Sequence, residues 1–442
     1  MPTVKTIKRV PHDDATNGWS KLLPPRIPKP SLQTDLKADW VVVGAGFAGL
    51  SAARRLAENR PNDRVVLVDA STAGENASGR NSGFAIGVCH NQDGSPEQFV
   101  KSSRHIRLVR TSIDFIEAIV RRHDIRCDWS RCGKYQAAVT QRGADRILAP
   151  LVEELEALNE PYRLVAGDDL RRELGTPHFT AAVYTPGCVL LNPAALCRGL
   201  ADTLPENVGH YEKTPVTAVD YSDGITVTTA DGSVRAPKMI LTVNGCVQQF
   251  GFFKRRLVIF AAHASLSRPL TANEYDALGG KDEWGLIPAY GYVGITMRLT
   301  KDRRILIRQN VHYCPGMNVS DARREAIKIE HQKLFDKRFP MLPDVTMEHT
   351  WTGYVCVSKN GTPGFSQVAP NVYTAICQNG GGVTKGTIAG ILAADKACEI
   401  DNPLIADIEK QGTPNKVPPR PFLDICVHAK MAWDCYVNRD EA

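Results

Sequence analysis

Two groups of residues in this 442-residue chain have types and spacing that could do chemistry on their own account. Gly44-Ala45-Gly46-Phe47-Ala48-Gly49 follows the apolar run Trp40-Val41-Val42-Val43 and opens a stretch, Phe47 to Asn59, with small and apolar residues at helical spacing. In such a strand–turn–helix, Gly44 permits the tight turn, Gly46 lets a pyrophosphate reach the backbone, and Gly49 allows helix and strand to pack closely. The unpaired N–H groups of the helix N-terminus then attract phosphate. Asp69-Ala70 stands twenty residues past Gly49, at the end of a second apolar run from Arg64 to Val68. A carboxylate there accepts hydrogen bonds from a ribose diol and repels a 2′-phosphate. Alone, the hexapeptide is a common glycine-rich turn and Asp69 a strand-end cap; in register they read as a dinucleotide site. Nothing in this motif separates FAD from NAD.

The second group is Gly380-Gly381-Gly382-Val383-Thr384, ahead of a helical stretch from Thr387 to Ala394. Consecutive glycines let backbone lie against a flat ring system, and the following helix N-terminus favours negative charge developing there. A flexible loop would explain the glycines but not their place before a helix.

Asn76-Ala77-Ser78-Gly79-Arg80-Asn81-Ser82-Gly83 decides which cofactor. It resembles the A-S-G-R-N-x-G segment of flavoenzymes of the D-amino-acid oxidase superfamily, and within it the amine oxidases of the gamma-glutamylputrescine oxidase type. The resemblance extends to Trp351-Thr352-Gly353, to Gly380–Thr384, to the Arg298-Leu299-Thr300…Arg304-Ile305-Leu306 hairpin, and to the proline-rich arm before the first strand. It covers nearly the whole chain, with the motifs in order. It implies an α/β (α+β overall) fold: a Rossmann-like FAD-binding domain with a mixed-sheet substrate domain, of the glutathione-reductase-like, D-amino-acid-oxidase type. Residues 1–37 would be an N-terminal arm anchored by Trp19. Residues 38–95, 181–254 and 346–442 would form a discontinuous FAD-binding domain, with 96–180 and 255–345 as the substrate domain. Val216 would lie beside the adenine, and Ser78, Arg80 and Asn81 would meet phosphates or the ribityl chain. FAD is therefore the expected cofactor, held by Gly44–Gly49, Asp69-Ala70, Ser78–Gly83, Val216 and Gly380–Thr384.

The resemblance also implies an activity: oxidation of the C–N bond of a primary or secondary amine by hydride transfer to flavin N5, giving an imine that hydrolyses to a carbonyl compound. O2 or another acceptor would then take the electrons. Three departures from the family pattern refine this. Val355 stands where relatives that oxidise α-amino acids carry a carboxylate-clamping arginine, and valine cannot replace a bidentate guanidinium. Gly353 stands where covalently flavinylated members carry a cysteine, so a dissociable FAD is expected, although Cys356 is only three residues away. Gly381 and Thr384 replace a histidine and a lysine that some relatives hold near the ring. Candidate substrate contacts are Tyr290, Tyr292 and Tyr354, with core packing as their equal alternative. Arg298 would take a distal carboxylate if it faces inward and would be a surface charge if it faces out. His90 is a further candidate. An oxidase of glycine, sarcosine or a D-amino acid, and a non-catalytic FAD-binding assembly or regulatory protein, are the competing readings.

The elements that must position these residues are legible in part. Glu97 to Arg122 reads as an amphipathic helix, with Ile106, Val109, Ile113, Ile116 and Val120 on one face and its arginines on the solvated side. Arg146 to Leu158 continues helical with a kink at Pro150. Short strands are expected at Val216–Asp220, Thr226–Thr229 and 239–241, with a turn at Asp231-Gly232. Longer ones are expected at Arg256–Leu266 and Tyr292–Leu299, the latter turning into Ile305–Ile307. Asp321–Phe335 reads as a helix, and the tail after Gly412 is proline-rich to about Phe422. With 43% apolar and 23% charged residues, the composition excludes a disordered or fibrous protein. The net charge of +6 is dispersed, which argues against nucleic acid. No apolar run spans a bilayer and no secretory signal opens the chain, so a cytoplasmic location is expected. The twelve cysteines show no metal-ligand spacing and read as core residues.

Overall fold

The computed structural model describes residues 4–88, 96–290 and 293–442, and the side chains of all but 96–100 among these. His90 and Tyr292 lie outside the described residues. Three large sheets organise the chain. The first has six strands in the order Val208–Tyr211, Val65–Val68, Trp40–Val43, Lys238–Leu241, Val372–Ile376 and Gly364–Ala369. Its first five strands are parallel; the last is antiparallel.

Every residue of Trp40–Val43 and Val65–Val68 is buried, because both faces of this sheet are covered. Trp40, Val42, Val65 and Leu67 face a layer of helices, Phe47–Asn59 and Thr387–Ala397 among them. Val41, Val43, Val66 and Val68 face the second sheet, packing on Val219, Val227 and Val234. The two helices touch where Gly390 meets Ala48; a Cβ on Gly390 would lie 2.0 Å from the Ala48 carbonyl oxygen, so only glycine fits.

The second sheet has the order Val4–Thr6, Ala218–Asp220, Ile225–Thr228, Ser233–Ala236 and Leu36–Lys37. Asp231-Gly232 lies in the antiparallel connection that pairs Thr228 with Ser233. The third is an eight-stranded mixed sheet: Met347–Ser358, Leu257–Ser267, Ile305–Tyr313, Thr296–Leu299, Trp284–Pro288, Lys134–Ala138, Ala181–Thr185 and Arg163–Ala166. The helix Asp321–Arg338 contributes Phe335 to the core on this sheet.

Several sequence expectations are corrected by this packing. The helix Pro96–Arg122 was expected in the substrate domain, yet its Ile113, Ile116, Ile119 and Val120 join the core of the helices on the six-stranded sheet. Conversely, Met347–Ser358 and Ala181–Thr185 lie in the eight-stranded sheet, not with the parallel one. An apolar stripe declares that a face is buried, but not against which sheet. Pro150 lies inside a helical run, directly after a π-helical turn at Ala144–Leu148 and in the first turn of Ala149–Ala157. The arm is more than a cover, because Val4–Thr6 adds an antiparallel strand to Ala218–Asp220. Trp19 is buried, its indole Nε1–H donates to the Asn81 carbonyl (2.8 Å), and its ring meets the edge of Trp351 at 6.3 Å.

Arg298 belongs to this framework. It is 1% exposed, and its Nη1 donates to the carbonyls of Leu191 (2.8 Å) and Gly83 (3.1 Å). Its guanidinium lies over the Trp19 ring at 5.2 Å and faces Glu283 at 3.7 Å. It thus joins the eight-stranded sheet to the paired strands Phe84–Ile86 and Cys188–Leu190 and to the arm. Replacing it with methionine removes the side-chain donor from the Leu191 carbonyl and the Glu283 carboxylate, and one of the two donors from the Gly83 carbonyl, which keeps the Leu191 N–H. Arg298→Met is expected to lose about 3 kcal/mol of unfolding free energy in urea titrations, with Arg298→Lys recovering part of it.

Candidate active site

The ends of the parallel strands converge on one cleft with about 250 Å³ of internal space. Gly44, at φ +103°, turns the chain out of Trp40–Val43, and its carbonyl accepts a hydrogen bond from Thr242 Oγ1 (2.7 Å) on the neighbouring strand end. A Cβ on Gly49 would stand 1.7 Å from that same carbonyl oxygen, so the third glycine is required by packing, not by the cleft. Gly44, Gly46, Phe47 and Ala48 line the cleft, presenting the N-terminus of Phe47–Asn59 to it. That helix has no side-chain N-cap of its own; instead Ser78 Oγ accepts from Phe47 N–H at 3.1 Å.

Asp69 and Ala70 lie on the cleft wall. The Asp69 carboxylate accepts from the N–H of Ala45 (2.6 Å) and of Ser71 (2.8 Å). It therefore caps the glycine turn as well as facing the cleft. One edge meets the cleft, but protein surrounds the group on the larger scale. Burial is the main influence and pushes its pKa up to about 6; the two N–H donors oppose this, and nearby Glu212 adds to it.

The segment after the second strand is folded by its own side chains: Asn81 Nδ2 donates to the Ser78 carbonyl, and Asn81 Oδ1 accepts from Gly83 N–H. Ser78, Arg80 and Asn81 line the cleft; Gly79 packs on the Gly74 carbonyl, and the carbonyls of Ser82 and Gly83 point to Arg298. Arg80 lines the cleft with its charge already paired. Its guanidinium is held by Asp14 (2.7 Å), Asp13 (3.0 Å) and Thr16 Oγ1 (3.3 Å) from the arm and by the carbonyls of Glu75 and Thr352.

Val216 lines the cleft just ahead of the strand expected to contain it, which begins at Ala218. Of the glycine-rich segment, Gly380 and Gly382 line the cleft. A Cβ on either would meet no protein atom within 4 Å. Gly381 instead packs on the Lys385 stem, while Val383 and Thr384 are buried in the π-helical turn Gly382–Gly386 that leads into Thr387–Ala397.

The far wall is the edge strand Met347–Ser358, which presents Thr352, Tyr354 and Cys356, with Val355 and Ile259 beside them. Burial pushes the Tyr354 phenol up to about 12, so it stays protonated. Thr352 Oγ1 bonds His263 Nδ1 (2.9 Å), and His263 Nε2 bonds Nδ1 of the half-buried His312 (3.1 Å). Burial, with His312, His331, Arg323 and Arg324 nearby, lowers His263 to about 3 and keeps it neutral. The arm adds Val10, Pro11 and His12 to the lining, and Met317 joins them. The sequence carried no signal for these arm residues, for Thr242 or for Met317, since each reaches the cleft only by tertiary packing. Two expected substrate contacts are elsewhere: Tyr290 packs against the small core cluster that contains Ala138, Ile147 and Leu151, and Arg298 holds the framework.

This geometry is shared with known proteins. The family model "FAD dependent oxidoreductase", DAO, matches residues 39–396. The chain belongs to the DAO family. It is 28% identical to gamma-glutamylputrescine oxidoreductase of Escherichia coli (strain K12) over 387 residues, 83% of this chain and 85% of that one. Its fold is that of glycine oxidase from Geobacillus kaustophilus, with a TM-score of 0.70 at 16% identity, covering 87% of this chain and 100% of that one. L-proline dehydrogenase from P. horikoshii is similar too, with a TM-score of 0.68 at 14% identity over 88% of this chain and 100% of that one. The chain is thus a DAO-family flavoprotein oxidoreductase that uses FAD.

The cleft fits that cofactor. It runs from a helix N-terminus suited to a diphosphate to the open side of Gly380 and Gly382, where a ring can lie against backbone. Among the described residues no group of His, Cys, Asp or Glu is arranged to hold a metal ion, and no helix is long and apolar enough to cross a membrane.

Asp69 makes a testable link to stability. Its folded pKa is raised, so the folded FAD-free chain binds a proton that the unfolded chain has released between about pH 4 and 6. The contribution of Asp69 to stability is therefore full below about pH 4 and lost as the pH rises through 6. Urea titrations of FAD-free protein from pH 4 to 7 should show wild type losing on the order of 2 kcal/mol relative to Asp69→Asn.

Proposed function

We propose that this DAO-family enzyme oxidises the C–N bond of a primary or secondary amine that bears no α-carboxylate, giving an imine that hydrolyses to a carbonyl compound. One observation carries the reading: no guanidinium among the described cleft-lining residues is free to clamp a carboxylate. Val355 stands on the wall, and Arg80 is already held by Asp13 and Asp14. Arg298 is bonded to backbone outside the cleft. The Escherichia coli relative, named for gamma-glutamylputrescine, agrees with an amine substrate.

The roles of the chain's own residues follow from the cleft. Ile259, Met317 and Val355 form apolar wall, which favours the neutral amine over its ammonium ion. Tyr354, protonated and in the cleft, can donate a hydrogen bond to a polar group of the substrate. Thr352 Oγ1, His263 and His312 form a hydrogen-bonded line by which the ammonium proton can leave. Bound FAD supplies the acceptor for the hydride.

Gly44, Gly46, Asp69, Ser78, Asn81, Val216, Gly380 and Gly382 are the residues proposed to hold FAD, and the attachment is proposed to be dissociable. Cys356 lines the cleft, but its thiol bonds Cys377 and is buried; both raise its pKa, so it is not the thiolate a covalent bond would need.

Two experiments test this. Anaerobic mixing with a panel of amines and α-amino acids should bleach the flavin absorbance with amines; bleaching by α-amino acids alone would refute the reading. Val355→Arg should shift the ratio of these rates toward α-amino acids by about tenfold or more. Separately, denaturation in acid should release the FAD into the supernatant; flavin remaining on the precipitated chain would contradict dissociable attachment.

A further inference from the structure

The helix Phe422–Val437 has two apolar faces, and only one of them is used within the chain. Leu423, Val427 and Met431 pack on Val258, Phe260 and Val417. At 100° per residue the opposite side carries Phe422, Ile425, Ala429, Ala432, Trp433 and Tyr436, all exposed. Phe422, Ile425 and Trp433 are 63% exposed and Tyr436 64%, whereas apolar residues of this size are otherwise mostly buried in the described chain. No charged residue lies on this stripe. The helix's acids are neutralised beside it: Asp424 by Arg420 and the Tyr313 hydroxyl, Asp434 by Lys430.

The stripe also reads alike in both directions about Ala429. Phe422 and Tyr436 lie seven residues to either side, Ile425 and Trp433 four, and Cys426 and Ala432 three. A two-fold axis pairs residue i with j and j with i, so a pattern symmetric about its centre is self-complementary. Large residues at both ends would interdigitate, and Cys426, Ala429 and Ala432 at the centre let the helix axes approach closely. We propose that this face is the two-fold contact of a homodimer, formed by antiparallel packing of Phe422–Val437 from two copies about Ala429.

The size of the patch suits that occupant. Four large side chains about two-thirds exposed offer about 500 Å² per copy, or about 1,000 Å² for the pair, the threshold for a specific contact. A lipid surface suits it less well. Across residues 420–441 three basic residues, Arg420, Lys430 and Arg439, face four acidic ones, Asp424, Asp434, Asp440 and Glu441. Helices that lie on anionic membranes are rich in Lys and Arg instead. The contact is independent of which amine the enzyme oxidises.

The test uses the full-length holoenzyme. Sedimentation at micromolar concentration should give twice the chain mass. Ile425→Asp with Trp433→Asp should raise the dimer dissociation constant about a hundredfold, leaving bound flavin and the far-ultraviolet circular dichroism unchanged because neither residue belongs to the face buried within its own chain. A residue on the axis meets its own copy within disulfide reach. In a Cys426→Ser, Cys435→Ser background, which removes the two exposed thiols among the described residues, Ala429→Cys should therefore form a disulfide-linked dimer on mild oxidation, and the background alone should not. A monomer at micromolar concentration would overturn the proposal. So would a dimer that survives Ile425→Asp with Trp433→Asp, or a monomer that these substitutions release from anionic phosphatidylserine vesicles.

Discussion

A guanidinium buried to 7% exposure cannot be left without partners, and the pairing of Arg80 draws four parts of the chain together around the cleft. The arm supplies Asp13 and Asp14, the glycine-containing segment supplies the Glu75 carbonyl, and the eight-stranded sheet supplies the Thr352 carbonyl. Asp14 reaches on to Arg324 at 2.9 Å, which ties in the helix Asp321–Arg338. Burial works against the Asp14 carboxylate, but Thr16 and Arg80 outweigh it and hold the pKa below the usual range. The arm is thus locked over the cleft by charges that would be costly to separate.

This arrangement has a chemical consequence. A positive charge in a cofactor cleft invites the reading of an anion clamp, whether for a diphosphate or a substrate carboxylate. Here two acids from the arm neutralise it in place, so what the wall around Val355, Tyr354 and Ile259 offers is apolar surface and a phenol hydroxyl. Positive potential remains where backbone supplies it, at the N-terminus of Phe47–Asn59. The two ends of the cleft differ in character for that reason: one is suited to phosphate, the other to a neutral, partly apolar group.

The cleft-lining residues that were legible in the sequence share a property: their placement is local. Gly44, Gly46 and Asp69 act through a turn and a strand end that a few neighbouring residues specify, and Gly380 and Gly382 act by lacking a side chain. Arg298, Tyr290 and Arg80 were harder, because their roles depend on which distant partner packs against them. Arg298 alternates with apolar neighbours, as does a residue facing a pocket or solvent. Its destination, the carbonyls of Gly83 and Leu191 beneath Trp19, brings together segments more than a hundred residues apart.

The sequence by itself determined the parallel strand–turn–helix, the dinucleotide signature, the family and hence FAD, because each is written in consecutive residues or in motifs whose order is preserved. Helix spans such as Phe47–Asn59 and Pro96–Arg122 followed from periodicity alone. Only the tertiary structure decided which sheet each apolar stripe is buried against, that Met347–Ser358 forms the far wall, and that the arm both joins a sheet and neutralises Arg80. The physical reason is that burial and charge pairing over long separations depend on the sum of many weak preferences. A single stretch of chain states that a face is apolar or a residue charged; the partner is chosen by the packing of the whole.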